Sequence, residues 1–301
     1  MSKFTIGTDS EFFLVSKLDG RYVSAIPIIK GTKWEPEVLE NKAGLQHDNV
    51  AMEFATPIAG NLSELLSHIR STFRLVKQKL PENIVYCGTS STSFPHEELK
   101  DPEAHVMGCD PDYNAWEDGA MNKITKLHDK TFRSCGGHIH VGYVPNSGND
   151  FLLTDTGKLR LIKVMDALHG VVSVVIDNNI PSIKRRFLYG KAGAYRPTDY
   201  GVEYRVLSNF WVKSPVLVSL MYHLTKEALN IVRLNQDEEL IKAMGGYAQI
   251  GSTINNGLAR GATLLINNHI MPRVDKATYS LLKKSNTFHF NKAIDQAWGL
   301  A

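Results

Sequence analysis

The stretch CGGHIHVGY, residues 135–143, sets two histidines one residue apart in a run of β-branched and aromatic residues bordered by glycines. Such a run predicts a β-strand. Because residues two apart on a strand share a face, His138 and His140 point to one side and the apolar residues between and after them point to the other. The strand therefore has one apolar face and one face that carries imidazoles.

Three other segments repeat this division into an apolar and a charged face. TIGTDSEFF carries Asp9 and Glu11 on one side, VAMEFAT carries Glu53, and GVEYRVL carries Glu203 and Arg205. Carboxylates that lie together repel each other unless cations neutralise them. If these strands are neighbours, the shared face is rich in oxygen ligands with one or two imidazoles, which suits Mg²⁺ or Mn²⁺ better than zinc.

Each motif alone has a simpler explanation. A D-x-E pair is often a solvated strand edge, an H-x-H pair occurs in many strands that bind no metal, and an E-x-R pair is often a structural ion pair. Their occurrence on four strands with apolar backs favours a single shared site.

The order of the predicted elements favours an α+β protein with an antiparallel sheet. Strands dominate the first half, and helices are predicted at 61–80, at about 155–179 and over most of the chain after Ser214. The polar segment 94–131 is predicted to be a long functional loop with at most short helices. We expect a single domain over residues 1–301, with a sheet core over about 3–212 and a helical C-terminal part over about 214–301.

Composition and charge argue against several classes of protein. A formal charge of +3 on 301 residues is too small to predict binding to a nucleic-acid duplex. No segment approaches the ~20 apolar residues of a membrane span. The N-terminus lacks the apolar core of a secretory signal, and Cys87, Cys109 and Cys135 form no C-x-x-C pair. We therefore expect a cytoplasmic protein with reduced thiols.

The stretch PSIKRRFLYGKAGAYRPTDYGVEYR, residues 181–205, is the most basic part of the chain, and the part of it before the strand GVEYR is predicted to be a loop. Arginine side chains bind phosphate oxygens in pairs, and glycines let backbone N–H groups approach a ligand. A solvated basic loop is the simpler explanation, but this run leads directly into the strand of Glu203 and Arg205. Since the chain has no P-loop motif, a bound ATP would lie on the sheet.

These pieces, in this order, resemble the carboxylate–amine ligase superfamily, which includes glutamine synthetase and glutamate–cysteine ligase. The resemblance is greatest to the compact, phage-encoded COOH–NH2 ligase-type proteins. It is carried by GTDSEFFLV, GGHIHVGY and the AYRP…GVEYRVLSNFW block, and covers roughly residues 5–60 and 132–212. It implies an antiparallel sheet with a concave polar active-site face and helices packed on the other side. It also implies that ATP phosphorylates a carboxylate and that an amine then displaces phosphate, with ADP released.

The resemblance further implies roles for individual residues. The implied ligands of Mg²⁺, or of Mn²⁺, are Asp9, Glu11, Glu53, His138 and Glu203. The implied contacts of the substrate and of the transferring phosphoryl group are His140, Arg196 and Arg205. Further contacts of the nucleotide are Arg185, Arg186 and Lys191. Asp9 departs from the E-x-E that the family's first strand usually has, and its shorter side chain is compatible with binding through water.

Two alternatives stay open at this point. The histidine pair could serve a metal-dependent hydrolase with zinc or manganese, although the arginine-rich segment would then have no role. A non-catalytic nucleotide-binding relative is the other alternative, although every acidic, histidine and arginine position is filled. The expected substrates are a small-molecule or peptide carboxylate and an amine, the compartment would be the host cytoplasm if the chain is phage-encoded, and an oligomer is compatible with the sequence.

Overall fold

The computed structural model describes residues 3–106, 112–123, 129–285 and 293–300. Within these ranges the strands are β1 (Thr5–Gly7), β2 (Asp9–Ser16), β3 (Tyr22–Val23), β4 (Glu37–Val38), β5 (Gly44–Asp48), β6 (Ala51–Ala55), β7 (Ile84–Cys87), β8 (Ser91–Ser93), β9 (Tyr113–Asn114), β10 (Ala120–Met121), β11 (Phe132–Ser134), β12 (Ile139–Gly142), β13 (Ala194–Thr198) and β14 (Gly201–Tyr204). The α-helices are α1 (Leu62–Lys79), α2 (Asp155–Met165), α3 (Val171–Ile176), α4 (Ile180–Leu188), α5 (Pro215–Arg233), α6 (Asp237–Ala243), α7 (Gly246–Asn255), α8 (Ala259–Leu265), α9 (Lys276–Ser285) and α10 (Ile294–Trp298).

Two six-stranded antiparallel sheets are linked through the N-terminal strands. The first has the order β1-β12-β14-β13-β9-β10, and the second has the order β3-β2-β6-β5-β4 with β7 paired to β2. An isolated bridge between Ser10 and Gly137 joins β2 to the start of β12. Consequently β6, β2, β12 and β14 lie side by side, and the prediction of an α+β protein with antiparallel pairing is confirmed.

The apolar backs of these strands and the helices form one buried core. Ile139 and Val202 of the sheet belong to the same hydrophobic cluster as Leu161 of α2 and Leu224 of α5. The helix α1 begins after Asn61, whose side chain caps it by accepting a hydrogen bond from the N–H of Glu64. Burial of these apolar faces holds the charged faces of the strands toward the opposite side of the sheet.

The structure corrects three elements predicted from sequence. Residues 180–188 form α4 and not a basic loop, and the strand that begins at Gly201 ends at Tyr204 and is followed by the 3-10 helix Asn209–Lys213. The segment 94–131 contains the strands β9 and β10, and β9 joins the sheet next to β13.

Two further sequence predictions concern the cysteines and the membrane. Cys87 and Cys135 carry free thiols, whereas Cys109 lies outside the described residues. In the described part of the chain, every helix falls short of the length and apolar character that crossing a membrane requires.

Candidate active site

Strand register brings the charged residues into adjacent rows on one face of the sheet. His140 and Arg196 both lie directly opposite Glu203, from the two strands that flank β14. Glu11 lies directly opposite Glu53 across the β2–β6 pair. Because directly opposed residues of an antiparallel pair point to the same face, the assumption that these strands are neighbours is confirmed.

Asp9 lies against both histidines of the H-x-H motif, and Glu203 lies against the first of them. Nδ1 of His138 is 2.9 Å from Oδ1 of Asp9 and 3.2 Å from Oε1 of Glu203. Nε2 of His140 is 3.3 Å from the same Asp9 oxygen. His138 is buried, whereas the His140 side chain is 24% exposed, so His140 is the histidine that a ligand can reach.

Two arginines complete this group, which we call the ion-pair cluster: Asp9, His138, His140, Arg196, Glu203 and Arg205. Nη1 of Arg196 is 3.0 Å from Oε2 of Glu203, and Nη1 of Arg205 donates to Oε1 of the same carboxylate. Arg205 also donates to the hydroxyl of Tyr189. The Arg196 side chain is 27% exposed and that of Arg205 is 4% exposed, so Arg196 is the guanidinium open to a bound molecule.

Charge compensation in the ion-pair cluster is visible in its pKa values. Burial alone would raise the pKa of Glu203, but hydrogen bonding and attraction to His138 outweigh burial and lower it to about 2. Burial likewise opposes the charge of His138, but Asp9 raises its pKa to about 9. The pKa of Asp9 is held well below its ordinary value because the charges of His138 and His140 outweigh its burial.

A second group, which we call the acid cluster, consists of Glu11, Asp48 and Glu53. Carboxylate oxygens of the three side chains lie within 4.8 Å of one another. The N–H of Gly136 donates to Oε2 of Glu11 at 2.7 Å, and the amide of Gln46 donates to Oε2 of Glu53 at 3.1 Å.

In the acid cluster the pKa values of the carboxyl groups are raised, whereas those of Asp9 and Glu203 in the ion-pair cluster are lowered. Burial, followed by repulsion from Asp48, raises the pKa of Glu11. Burial and the neighbouring carboxylates raise the pKa of Glu53 well above its ordinary value. The pKa of Asp48 is also raised, by burial, although the positive charge of Lys33 acts against this.

Asp48 is a member of this site that sequence reasoning missed. It ends β5, and in the β5–β6 hairpin it lies opposite Ala51 while Gln46 lies opposite Glu53. Hence Asp48, two residues beyond Gln46, shares the face of Glu53. The signal in the sequence is the pair Asp48-Asn49, because Asn tolerates the left-handed conformation that a short hairpin turn needs, and Asn49 adopts it with a φ of 55°.

The donor set of the acid cluster fits a hard divalent cation. Three carboxylates held within 4.8 Å of one another offer oxygen ligands, and their raised pKa values mean that nearby charge does not balance the ionised forms. Asp9, His140 and Glu203 also offer ligand atoms within 4.8 Å of one another. Their charges, however, are already compensated by arginine and histidine.

The two consecutive arginines of the basic segment bind the backbone. Arg185 is buried and donates to the carbonyl oxygens of Val206 and Leu207 at 2.9 and 2.8 Å. Arg186 is buried and donates to the carbonyl oxygens of Ser173 and Asp177. These contacts favour a structural role for both arginines over the predicted contact with a nucleotide. Lys191 is exposed on the turn before β13.

Comparison with known proteins supports the resemblance for part of the chain. Residues 127–244, which include β12, β13 and β14, match the family model "Phage phiEco32-like COOH.NH2 ligase-type 2". Over these residues the resemblance to carboxylate–amine ligases is confirmed. No curated protein sequence matches.

One solved structure similar to this chain is a bifunctional glutathione synthetase from Pasteurella multocida, with 11% identity and a TM-score of 0.49. The alignment covers 95% of this chain and 52% of that enzyme, so the chain spans about half of its length.

Proposed function

We propose that this protein is an ATP- and Mg²⁺-dependent ligase that joins a carboxylate to an amine on a sheet of the glutamine synthetase type. The observation that carries the proposal is the division of one sheet face into an acid cluster and an arginine-containing ion-pair cluster. Phosphoryl transfer needs cation-binding oxygens next to guanidinium groups. Since β2 and β14 contribute to the same face from distant parts of the chain, we also propose that residues 1–301 act as a single catalytic domain.

The acid cluster is the proposed first cation site. Glu11, Asp48 and Glu53 would hold Mg²⁺, which when bound polarises and neutralises phosphate oxygens. Asp9, His138 and Glu203 would form a second cation site only if a cation displaced some of the ion pairs around Glu203. Mn²⁺ accepts the same ligands as Mg²⁺.

Arg196 is the proposed contact for the transferring phosphoryl group. It is the more exposed of the two arginines at Glu203, and its planar guanidinium matches phosphate oxygens. Arg205, buried between Glu203 and Tyr189, would hold Glu203 in place and contribute positive charge. His140, open on one side, would contact the substrate carboxylate or the phosphates.

The proposed reaction has two displacements. A carboxylate oxygen attacks the γ-phosphorus of ATP, the bond from that phosphorus to the bridging oxygen breaks, and ADP leaves with the bond's electrons. The amine nitrogen then attacks the acyl carbon of the acyl phosphate, the carbon–oxygen bond to phosphate breaks, and an amide and phosphate form. The proton lost by the amine passes to a base or to water. The acid substrate is a small molecule or a peptide.

An ADP-release assay over pooled acids and amines tests this function. We expect ADP only when Mg²⁺, a carboxylate and an amine are all present, and we expect Mg²⁺-ATP to raise Tm because the ligand binds the native state. Arg196→Ala should lose turnover, whereas Arg260→Ala, a change of the same charge on helix α8, should retain it. If ATP leaves the Tm unchanged at every Mg²⁺ concentration tested, the protein is not this ligase.

A zinc hydrolase is the second candidate function. It is favoured by one observation, namely that Nδ1 of His138 and Nε2 of His140 both point at the same oxygen of Asp9. A zinc ion there would have two imidazole ligands and a carboxylate. Elemental analysis that finds one tightly held zinc per chain would favour this candidate, and a zinc-free protein that binds ATP would exclude it.

A further inference from the structure

Trp34 is the most exposed large apolar side chain in the described part of the chain, at 84%. It lies at the tip of a tight turn, in which Thr32 and Glu35 each donate a backbone N–H to the carbonyl oxygen of the other, at 3.1 and 3.2 Å. A single exposed apolar side chain is ordinary on a protein surface, so its meaning depends on its position.

The turn lies beside the end of β5 that carries Asp48. Glu37 lies opposite Leu45 in the antiparallel β4–β5 pair, so the chain that precedes Glu37 runs along β5 toward Asp48. The N–H of His47 donates to the carbonyl oxygen of Gly31 at 2.9 Å, which fixes the start of the turn next to that end. A Cβ on Gly31 would lie 2.0 Å from the carbonyl oxygen of Leu45, so the segment packs closely against β5.

Lys33 links the exposed ring to the acid cluster. Its Nζ lies over one face of the Trp34 ring, 5.9 Å from the centroid. The same positive charge acts on the carboxylate of Asp48. Because Lys33 lies on one face of the indole, the high exposure of Trp34 leaves the other face open to solvent.

We propose that Trp34 is the platform on which the purine base of a bound nucleotide stacks. The proposal rests on the proposed function, which places Mg²⁺ and the phosphates at the acid cluster. From β6, which carries Glu53, the strand β4 is two strands away, or about 10 Å at the usual strand spacing. A nucleotide that lies across the strands with its phosphates on the cation spans that distance and brings its base to the turn.

The order of the strands gives the direction of the nucleotide. Arg196, the proposed contact of the transferring phosphoryl group, lies on β13, and from there β14, β12, β2, β6, β5 and β4 follow across the face. The γ-phosphate would therefore face Arg196 and the base would face Trp34. Since every base has a π-face, stacking adds affinity for a nucleotide over an inorganic polyphosphate without selecting one base.

Isothermal titration calorimetry with Mg²⁺-ATP and with Mg²⁺-tripolyphosphate tests the proposal, because inorganic tripolyphosphate carries the phosphates without the base. Stacking of one base on an aromatic side chain corresponds to about 5–150-fold in affinity, so Trp34→Ala should weaken ATP binding in that range. Its affinity for tripolyphosphate and its Tm should match those of the unaltered protein. Trp34→Phe keeps a ring and should lose less affinity for ATP than Trp34→Ala.

The matched control is Tyr279→Ala on helix α9. Tyr279 is also an exposed aromatic side chain under a lysine, since Nζ of Lys283 lies 4.9 Å from its ring centroid. We expect this variant to bind ATP and tripolyphosphate as the unaltered protein does.

An unchanged affinity for ATP in Trp34→Ala would overturn the proposal and leave the ligase function intact. Equal weakening of both ligands would also overturn it, because the turn would then act on the phosphates or the cation. If the unaltered protein binds tripolyphosphate as tightly as ATP, the base makes no contact and the proposal fails. If it binds neither ligand, the ligase function fails and the proposal falls with it.

Discussion

Gly136 and His138 lie two residues apart, and a Cβ on Gly136 would lie 2.6 Å from Nε2 of His138. The absent side chain thus makes room for the imidazole, and the N–H of Gly136 donates to Oε2 of Glu11 in the acid cluster at 2.7 Å. We predict that Gly136→Ala displaces His138 and lowers turnover by at least tenfold. Turnover is measured as ADP release and folding as Tm.

The matched control is Gly44→Ala on β5 of the same sheet. A Cβ there would find its nearest neighbour, Cβ of Pro36, at 3.4 Å, which is ordinary contact. We expect Gly44→Ala to keep full turnover. If Gly136→Ala is as active as Gly44→Ala, the space at Gly136 does not serve His138.

Glu203 and Arg205 form a buried ion pair that stabilises the fold as well as the site. The Glu203 side chain is 2% exposed and the Arg205 side chain is 4% exposed. Removing one partner of an isolated buried pair costs about 3–5 kcal/mol, and because Arg196 and His138 still lie against Glu203, we expect a loss at the lower end of that range. We predict this loss for Arg205→Met and a smaller loss for Arg205→Met combined with Glu203→Gln, measured by urea unfolding. Additive losses in the double variant would contradict a direct pairing.

Strand alternation was sufficient to predict the face of most site residues, because a period of two is a local property of the chain. The immediate neighbours of Asp9, Glu11 and Glu53 predict the charged face of each strand, and the structure puts these residues on one face with both histidines. Their pairing across strands is long-range and could only be assumed. Asp48 was missed because GLQHD, residues 44–48, lacks the β-branched run that identifies a strand.

The basic segment could not be assigned by charge alone. Arg185 and Arg186 look like ligand contacts in sequence, but burial turns their guanidiniums to backbone carbonyls. Signals for α4 were present, since the Asn179 side chain caps the helix and Pro181 lies in its first turn. In sequence, the run of cations is a stronger pattern than these two helix signals. Whether a guanidinium meets a phosphate or a carbonyl depends on tertiary packing, which local sequence does not contain.

Glu53 is predicted to destabilise the protein in the absence of divalent cations. Its pKa is raised by burial and by the charges of Asp9, Glu11 and Asp48, so its ionised form is unfavourable in the fold at neutral pH. In chelator, Glu53→Gln should raise Tm by roughly 2–4 °C, the shift that about 1 kcal/mol produces in a chain of more than 150 residues. The same variant should lose most of the rise in Tm that Mg²⁺ produces in the unaltered protein.

Glu40→Gln removes the same charge at an exposed position and serves as the control for Glu53→Gln. We expect it to leave Tm in chelator and the response to Mg²⁺ unchanged. If Mg²⁺ raised the Tm of Glu53→Gln as much as that of the unaltered protein, the acid cluster would hold no cation.

Asp166 belongs to neither cluster, and we predict that it makes the free energy of unfolding depend on pH. It is fully buried, and burial raises its pKa to about 7, although hydrogen bonds from Trp116 and Tyr204 oppose the rise. The folded state therefore binds more protons than the unfolded state between about pH 4 and pH 7. The contribution of Asp166 to the free energy of unfolding should be complete below about pH 4. It should be lost as pH rises to 7, by an amount on the order of 4 kcal/mol.

Asp166→Asn removes this titration, and its effect is best measured as the difference in Tm between variant and unaltered protein at each pH. We expect that difference to grow in favour of the variant from pH 4 to pH 7 and to stay constant above. Asp118→Asn, at an exposed side chain, should give a flat difference over the same range. A flat difference for Asp166→Asn as well would mean that Asp166 titrates alike in the folded and the unfolded chain, and that its hydrogen bonds from Trp116 and Tyr204 fully offset its burial.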